Sequence, residues 1–201
     1  MFYSFDGIDG GGKSTQLKLF CDWLTERGEQ VVACRDPGST PLGEAVRNLL
    51  LNRADLAIHR RSEMLLYMAA RAQLVEEVIR PALAAGRTVV SDRFLLANVV
   101  YQGHAGGLDV EQLWRIGEAT TAGIRPDLTF LLDMDPQAAT NRIRRAPDRM
   151  ESQGEEFRRR LRGGFLAEAA RQPERIRRID ANRSIDEVQA EIRRATEENM
   201  R

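Results

Sequence analysis

The chain carries no surplus charge of either sign. Thirty Lys and Arg residues balance thirty Asp and Glu residues, a formal net charge of +0. So balanced a chain has no global field to draw it onto nucleic acid or an anionic membrane, and neither partner is expected; any anion recognition must be local. Cysteine and histidine are equally scarce, two of each in 201 residues. Cys21 and Cys34 lack the spacing of a metal site or a disulfide framework and read as reduced packing residues of a cytoplasmic protein. His59 and His104 lie away from every phosphate-type motif and read as ordinary surface or loop residues. No apolar run approaches membrane-spanning length, and no basic segment with an apolar core opens the chain, so a membrane or exported protein is not expected. The length suits a single domain, residues 1–201, with a substantial core.

What is present is concentrated near the start. Residues Gly7, Ile8, Asp9, Gly10, Gly11, Gly12, Lys13 and Ser14 match the phosphate-loop pattern G-x-x-x-x-G-K-[ST] in full. The pattern sits between a short aromatic strand, Phe2 to Asp6, and a stretch from Thr15 to Glu26 with helical apolar spacing at Leu17, Leu19, Phe20 and Leu24. Wrapping a polyphosphate in backbone N–H groups requires glycines, which allow close approach and positive φ. Lys13 then reaches the β- and γ-phosphates, Ser14 offers a hydroxyl to Mg²⁺, and the helix that follows points its positive end at the anion. A glycine-rich hairpin with a solvated lysine is the structural alternative, and an ordinary turn accounts for neither the flanking elements nor the Lys-Ser pair.

Five short apolar runs alternate with longer helical stretches: Phe2 to Asp6, Gln30 to Arg35, Arg87 to Asp92, Leu128 to Asp133 and Arg175 to Asp180. That alternation predicts a parallel α/β sheet with helices on both faces. Gly28, Gly86 and Gly123 fall where left-handed helix caps are useful. In such sheets ligands bind beyond the carboxyl ends of the strands. The polar groups gathered there are the phosphate loop, Arg35-Asp36, Asp92-Arg93 and Asp133, more than a bare nucleotide switch requires. Asp92 ends an apolar strand, as a carboxylate holding Mg²⁺ or its water shell would. Asp133 reads as a turn cap. The segment from about 141 to 155 is arginine-rich around Pro147-Asp148 and reads as a lid or a solvated helical hairpin, whereas Arg158 to Arg162 reads as a solvated face.

At these residues the sequence resembles the bacterial thymidylate kinases over essentially its whole length. The markers are the phosphate loop, Arg35-Asp36-Pro37-Gly38-Ser39-Thr40 with Gly43-Glu44, Asp92-Arg93-Phe94, Tyr101-Gln102-Gly103, Pro126-Asp127-Leu128-Thr129 and Asp148-Arg149-Met150-Glu151. The family usually has glutamate at Asp36, glycine at Ser39, tyrosine or histidine at Phe94, serine at Ala97 and phenylalanine at Tyr67. The resemblance implies a P-loop nucleoside monophosphate kinase fold and transfer of the ATP γ-phosphoryl group to dTMP with Mg²⁺ as cofactor. A homodimer is also implied.

The acceptor phosphate is already an anion at neutral pH, since its second pKa lies near ~6, so the obstacle is charge repulsion and no strong base is needed. Arg35 and Arg93 are the expected clamps on that phosphate, with salt bridges to Asp36 and Asp92 as the structural alternative. Resemblance places Asp9 at the 3′-hydroxyl of dTMP; a contact to Mg²⁺-bound water is the alternative. Tyr67 and Arg71 share one helix face and offer a ring to stack on thymine and a donor to its O4, against core packing and a surface ion pair. Asn98 and Tyr101 continue this dTMP pocket; in the family the tyrosine leaves no room for a 2′-hydroxyl. The loop after the last strand, with Asn182, borders adenine, and Thr15 completes the ATP contacts. Glycines at 10 and 11 leave the loop without the arginine of the eukaryotic type, so Arg142, Arg145 or Arg149 must supply that charge. The Asp-Arg-Met-Glu setting favours Arg149. Two rival readings are another nucleoside monophosphate or deoxynucleoside kinase and a nucleotide-dependent switch or binding module. The faint guanine-type motif Asn52-Arg53-Ala54-Asp55 follows a helical run and is discounted.

Overall fold

The computed structural model describes residues 1–53, 55–143 and 154–199. Its frame is five parallel strands, β1 (Phe2–Asp6), β2 (Val31–Arg35), β3 (Thr88–Asp92), β4 (Leu128–Asp133) and β5 (Ile176–Asp180), ordered β2-β3-β1-β4-β5. All five sequence-predicted strands form, each boundary within a residue. Because β1 is central it has neighbours on both edges, Phe5 beside Asp92 of β3 and Phe130 of β4, and every one of its residues is buried. Alternation then splits its side chains between two cores. Tyr3 and Phe5 face a cluster with Phe20 and Phe130, ring centroids 5.1 to 6.0 Å apart, whereas Phe2 packs edge-on against Phe94 at 5.0 Å on the other face.

The covering helices are α1 (Lys13–Glu26), α2 (Pro41–Asn52), α3 (Arg60–Leu74), α4 (Arg80–Ala84), α5 (Leu95–Asn98), α6 (Val110–Thr120), α7 (Pro136–Arg142), α8 (Glu155–Arg171) and α9 (Ile185–Asn199). The helix expected from about His59 to the Pro81 region is present with an insertion: a π segment, Val75–Ile79, joins α3 to α4. A second π segment, Val99–His104, extends α5 and carries Tyr101 and Gln102. Gly28, Gly86 and Gly123 all adopt positive φ, +86°, +72° and +76°, as their cap positions predict. His59 caps α3, its side chain accepting from the Arg61 N–H.

Three expectations are corrected, for Asp133, Arg162 and His104. Asp133 does not cap a turn: Asp135 caps α7, accepting from the N–H groups of Gln137 and Ala138. The buried Asp133 carboxylate instead accepts from Arg162 of α8 at 2.7 and 3.1 Å and from Arg178 of β5 at 3.0 Å. Arg162 is thereby turned inward, away from the solvated face where Arg159 and Arg160 pair with Glu155 and Glu156. His104 likewise joins α8, its Nε2 lying 2.8 Å from the buried Glu168 carboxylate, which also accepts from Trp114 Nε1 at 3.1 Å.

Candidate active site

The phosphate loop occupies the switch point between β1 and β4, where successive connections leave in opposite directions. Its glycines are dictated by space as well as by φ. At Gly7, φ +132°, a Cβ would stand 2.5 Å from the Leu132 carbonyl oxygen; at Gly10, φ +83°, it would stand 2.1 Å from that of Ala139. Lys13 opens α1 and turns back into the loop, its Nζ donating to the carbonyls of Gly7 and Ile8 at 3.1 and 2.9 Å. Burial and the nearby Arg93 charge lower the Lys13 pKa, an effect that Asp9, Asp92 and Asp6 oppose.

Arg93 follows β3 in the left-handed region, φ +67°, a conformation that costs a non-glycine residue about 1 to 3 kcal/mol and aims its side chain across the loop. Its guanidinium donates to the Gly7 carbonyl at 3.0 Å, to Asp9 Oδ1 at 2.6 Å and to the Tyr101 hydroxyl at 3.2 Å. Tyr101 in turn donates to Asp9 Oδ2 at 3.0 Å. The carboxylate that looked out of place in an anion-binding loop is thus neutralised locally. Burial alone would raise the Asp9 pKa; Arg93, Lys13 and the Tyr101 hydrogen bond outweigh it and hold the group well below the usual carboxylate range.

Two cavities meet at this cluster. The larger, about 920 Å³, is lined by residues 10–16 of the loop and α1, with Arg35, Asp92, Arg142 and Arg183 around its rim. The smaller, about 100 Å³, is lined by Tyr67, Arg71, Asn98 and Tyr101. Asp9, Asp36, Arg47 and Arg93 line both. The sequence-predicted groups are therefore brought together, with specific differences. Arg35 and Arg93 do not pair with Asp36 and Asp92: Arg35 binds Glu44 at 2.8 Å and Arg93 binds Asp9. Arg71 is no surface residue but 1% exposed, its Nε 2.5 Å from Asp36 and its Nη1 2.9 Å from Asn98. Asn182 turns away from the larger cavity and donates to Asp180 at 2.7 Å; Ala181, Arg183 and Ser184 form that wall. Arg145 and Arg149 lie outside the described residues, leaving Arg142 as the described member of that trio. Asn52, Arg53 and Asp55 line neither cavity, and Arg53 donates to Asp55 at 2.8 and 2.7 Å; Ala54 lies outside the described residues.

Sequence reasoning missed Arg47, because a single arginine on an amphipathic helix carries no signal of the cavities it faces. It also missed Asp6. Both Asp6 carboxyl oxygens are buried without a hydrogen-bond partner, as is Oδ1 of Asp92, one strand away. Burial pushes the Asp6 pKa up to about 7, with Arg93 and Lys13 pulling it down.

The thymidylate kinase family profile matches residues 5–192. The chain belongs to the thymidylate kinase family. It is 44% identical over 199 residues to a thymidylate kinase of Symbiobacterium thermophilum, covering 98% of this chain and 93% of that one. A thymidylate kinase of Rhodopirellula baltica is 45% identical over 185 residues, 92% of this chain and 75% of its own. In three dimensions the chain is similar to the crystal structure of thymidylate kinase from Ehrlichia chaffeensis, with a TM-score of 0.80, 32% identity and 98% of each chain covered. Family membership makes the fold that of a P-loop nucleoside monophosphate kinase and the chain an ATP-dependent phosphotransferase. The switch or binding-module reading is set aside. Among the described residues no helix is long and apolar enough to cross a membrane.

Proposed function

We propose that this chain transfers the γ-phosphoryl group of ATP to dTMP, giving dTDP and ADP, with the triphosphate in the larger cavity and dTMP in the smaller. The observation that carries the reading is the junction: the loop lysine, Arg93 and Asp9 stand where the two cavities share a wall, which is where donor and acceptor phosphates must meet in line. Backbone N–H groups of residues 10–15 cradle the triphosphate, and Lys13 exchanges its loop carbonyls for phosphate oxygens. Arg93, held by Asp9 and Tyr101, offsets the repulsion between the two anions, with Arg35 and Arg142 at the rim adding charge.

In the smaller cavity Tyr67 stacks on the thymine ring while Arg71 donates to O4. Arg71 is well suited to this role because Asp36 and Asn98 hold its guanidinium in place. The Tyr101 ring is wedged against Phe157 and Phe165, centroids 6.3 and 6.4 Å away, so its hydroxyl is fixed beneath the sugar and crowds a 2′-hydroxyl.

Mg²⁺ fits this site. Ser14 is exposed toward the larger cavity, and Asp92 carries a carboxyl oxygen with no partner. Among the described residues there is no cluster of three or more His, Cys, Asp or Glu that could hold a metal ion. When bound it neutralises charge developing on the transferred group. The homodimer implied by the family resemblance belongs to the same reading and is checked by sedimentation.

A coupled assay across nucleoside monophosphates, with ATP or GTP as donor, tests the proposal. dTMP should be preferred over dCMP and AMP, by ~10⁴ where a buried polar pair is left unmatched. Folded Lys13→Ala should show no turnover. Equal turnover of dCMP or AMP, or near-normal kcat in Lys13→Ala, would remove the reading.

A further inference from the structure

A chain of four buried polar side chains runs along the smaller cavity; Arg71, Asn98 and Gln102 line it and Glu63 stands behind them. Arg71 Nη1 donates to Asn98 Oδ1 at 2.9 Å, Asn98 Nδ2 donates to Gln102 Oε1 at 2.7 Å, and Gln102 Nε2 donates to Glu63 Oε1 at 2.9 Å. None is more than 6% exposed, so water does not substitute for a lost partner. A side-chain amide has a donor end and an acceptor end of nearly the same shape, and only its neighbours decide which way round it sits. In this chain both terminal groups are one-sided: a guanidinium only donates and a carboxylate only accepts. Glu63 orients Gln102, Gln102 orients Asn98, and the Asn98 oxygen is left facing Arg71, which demands an acceptor there. The two ends impose the same direction.

We propose that Glu63 and Gln102 are positioning residues for base discrimination, holding the Asn98 amide so that its oxygen stands beside the Arg71 guanidinium at the base cavity. The proposal rests on the assignment of thymine to that cavity. A donor from Arg71 next to an acceptor from Asn98 matches the adjacent O4 and N3–H of thymine. Cytosine presents the opposite pair, an amino donor next to a bare N3 acceptor, and is opposed at both atoms. The Asn98 oxygen has a second lone pair beyond the one Arg71 uses, so the same atom can serve relay and base. Discrimination is then set in part by a carboxylate on α3 that acts only through two intervening amides.

The test reads a ratio, kcat/KM for dTMP over dCMP, in three proteins. Glu63→Gln keeps the shape of the side chain and adds a donor, so Gln102 is no longer held one way round and the Asn98 amide is oriented from the Arg71 end alone. The ratio should fall by roughly fivefold to tenfold, the worth of about one hydrogen bond, mainly through a raised KM for dTMP with kcat little changed. The exchanged pair Glu63→Gln with Gln102→Glu restores the direction, because the carboxylate at 102 accepts from Asn98 on one side and from the new amide on the other. Its ratio should return to within about twofold of the parent, a recovery that a merely structural role does not predict. An unchanged ratio in folded Glu63→Gln overturns the relay. If that variant does not fold, the exchanged pair decides alone: parental discrimination supports the relay, and a folded pair with lost discrimination overturns it. A parent enzyme that does not prefer dTMP would instead overturn the functional assignment beneath it.

Discussion

At the scale of single residues the molecule keeps its most costly arrangements beside the phosphate loop. Arg93 sits in a left-handed backbone conformation, and Asp6 holds two carboxyl oxygens away from water and from any partner. Such features persist where surrounding structure over-determines them, and they cluster at functional sites. Asp6 has a measurable consequence. Its pKa is raised to about 7 from the ordinary 3.8, so the folded state binds a proton that the unfolded chain has already released. The contribution of this group to folding stability is fully present below pH 3.8 and declines as pH rises through about 7. Asp6→Asn removes the charge without removing a hydrogen bond. In metal-free buffer it should match the parent near pH 4 and exceed it above pH 7 by on the order of a few kcal/mol in urea unfolding. A pH-independent difference, or a variant weaker than the parent at pH 8, would contradict this account.

At the scale of elements, α8 is the piece that packs behind Tyr101 and ties neighbouring elements to it. It supplies Phe157 and Phe165 to the Tyr101 ring, Glu168 to His104 and Trp114, and Arg162 to Asp133. The Asp133 carboxylate joins α8 to the ends of β4 and β5 through two arginines. Burial alone would raise its pKa, but Arg162 and Arg178 reverse that and leave it lowered. The contribution is therefore present above the ordinary aspartate value of 3.8 and is lost as pH falls through the lower folded value. Because the arginines are part-exposed and rehydrate, Asp133→Asn should cost only roughly 1 to 3 kcal/mol at pH 7. The gap between variant and parent should close in acid. Denaturation curves at pH 7 and below pH 3 check this, and a gap that persists in acid would mean that the ion pairs are not its source.

For the whole molecule, the two cysteines act as reporters of cooperative opening. Cys34 is buried in β2 and Cys21 half-buried on α1, and burial pushes their thiols up to about 12 and about 11. Neither thiolate forms near neutral pH in the folded protein, so a thiol reagent at pH 8 should react at the rate of opening and rapidly once the chain is unfolded. Saturating Mg·ATP and dTMP, which bind only the folded chain, should slow the labelling further by mass action. Fast labelling of either cysteine under native conditions would show that its segment opens locally.

The sequence alone determined the strand order along the chain, the phosphate loop and many of the polar residues that line the two cavities. Those signals are local: short apolar runs set between helical stretches, a glycine spacing, and an arginine or carboxylate at a strand end. Family resemblance added the assignment of Tyr67, Arg71, Asn98 and Tyr101 to one pocket, which no spacing within the chain could establish. Partnership was decided only by the tertiary structure. Whether Arg35 binds Asp36 or Glu44, whether Arg162 faces water or Asp133, and whether Asn182 or its neighbours wall the larger cavity depend on strands and helices far apart in sequence. The relay from Arg71 to Glu63 was illegible for the same reason: its members come from α3, α5 and the π segment after it, and an amide acquires a direction only when packing places a donor or an acceptor on each side of it.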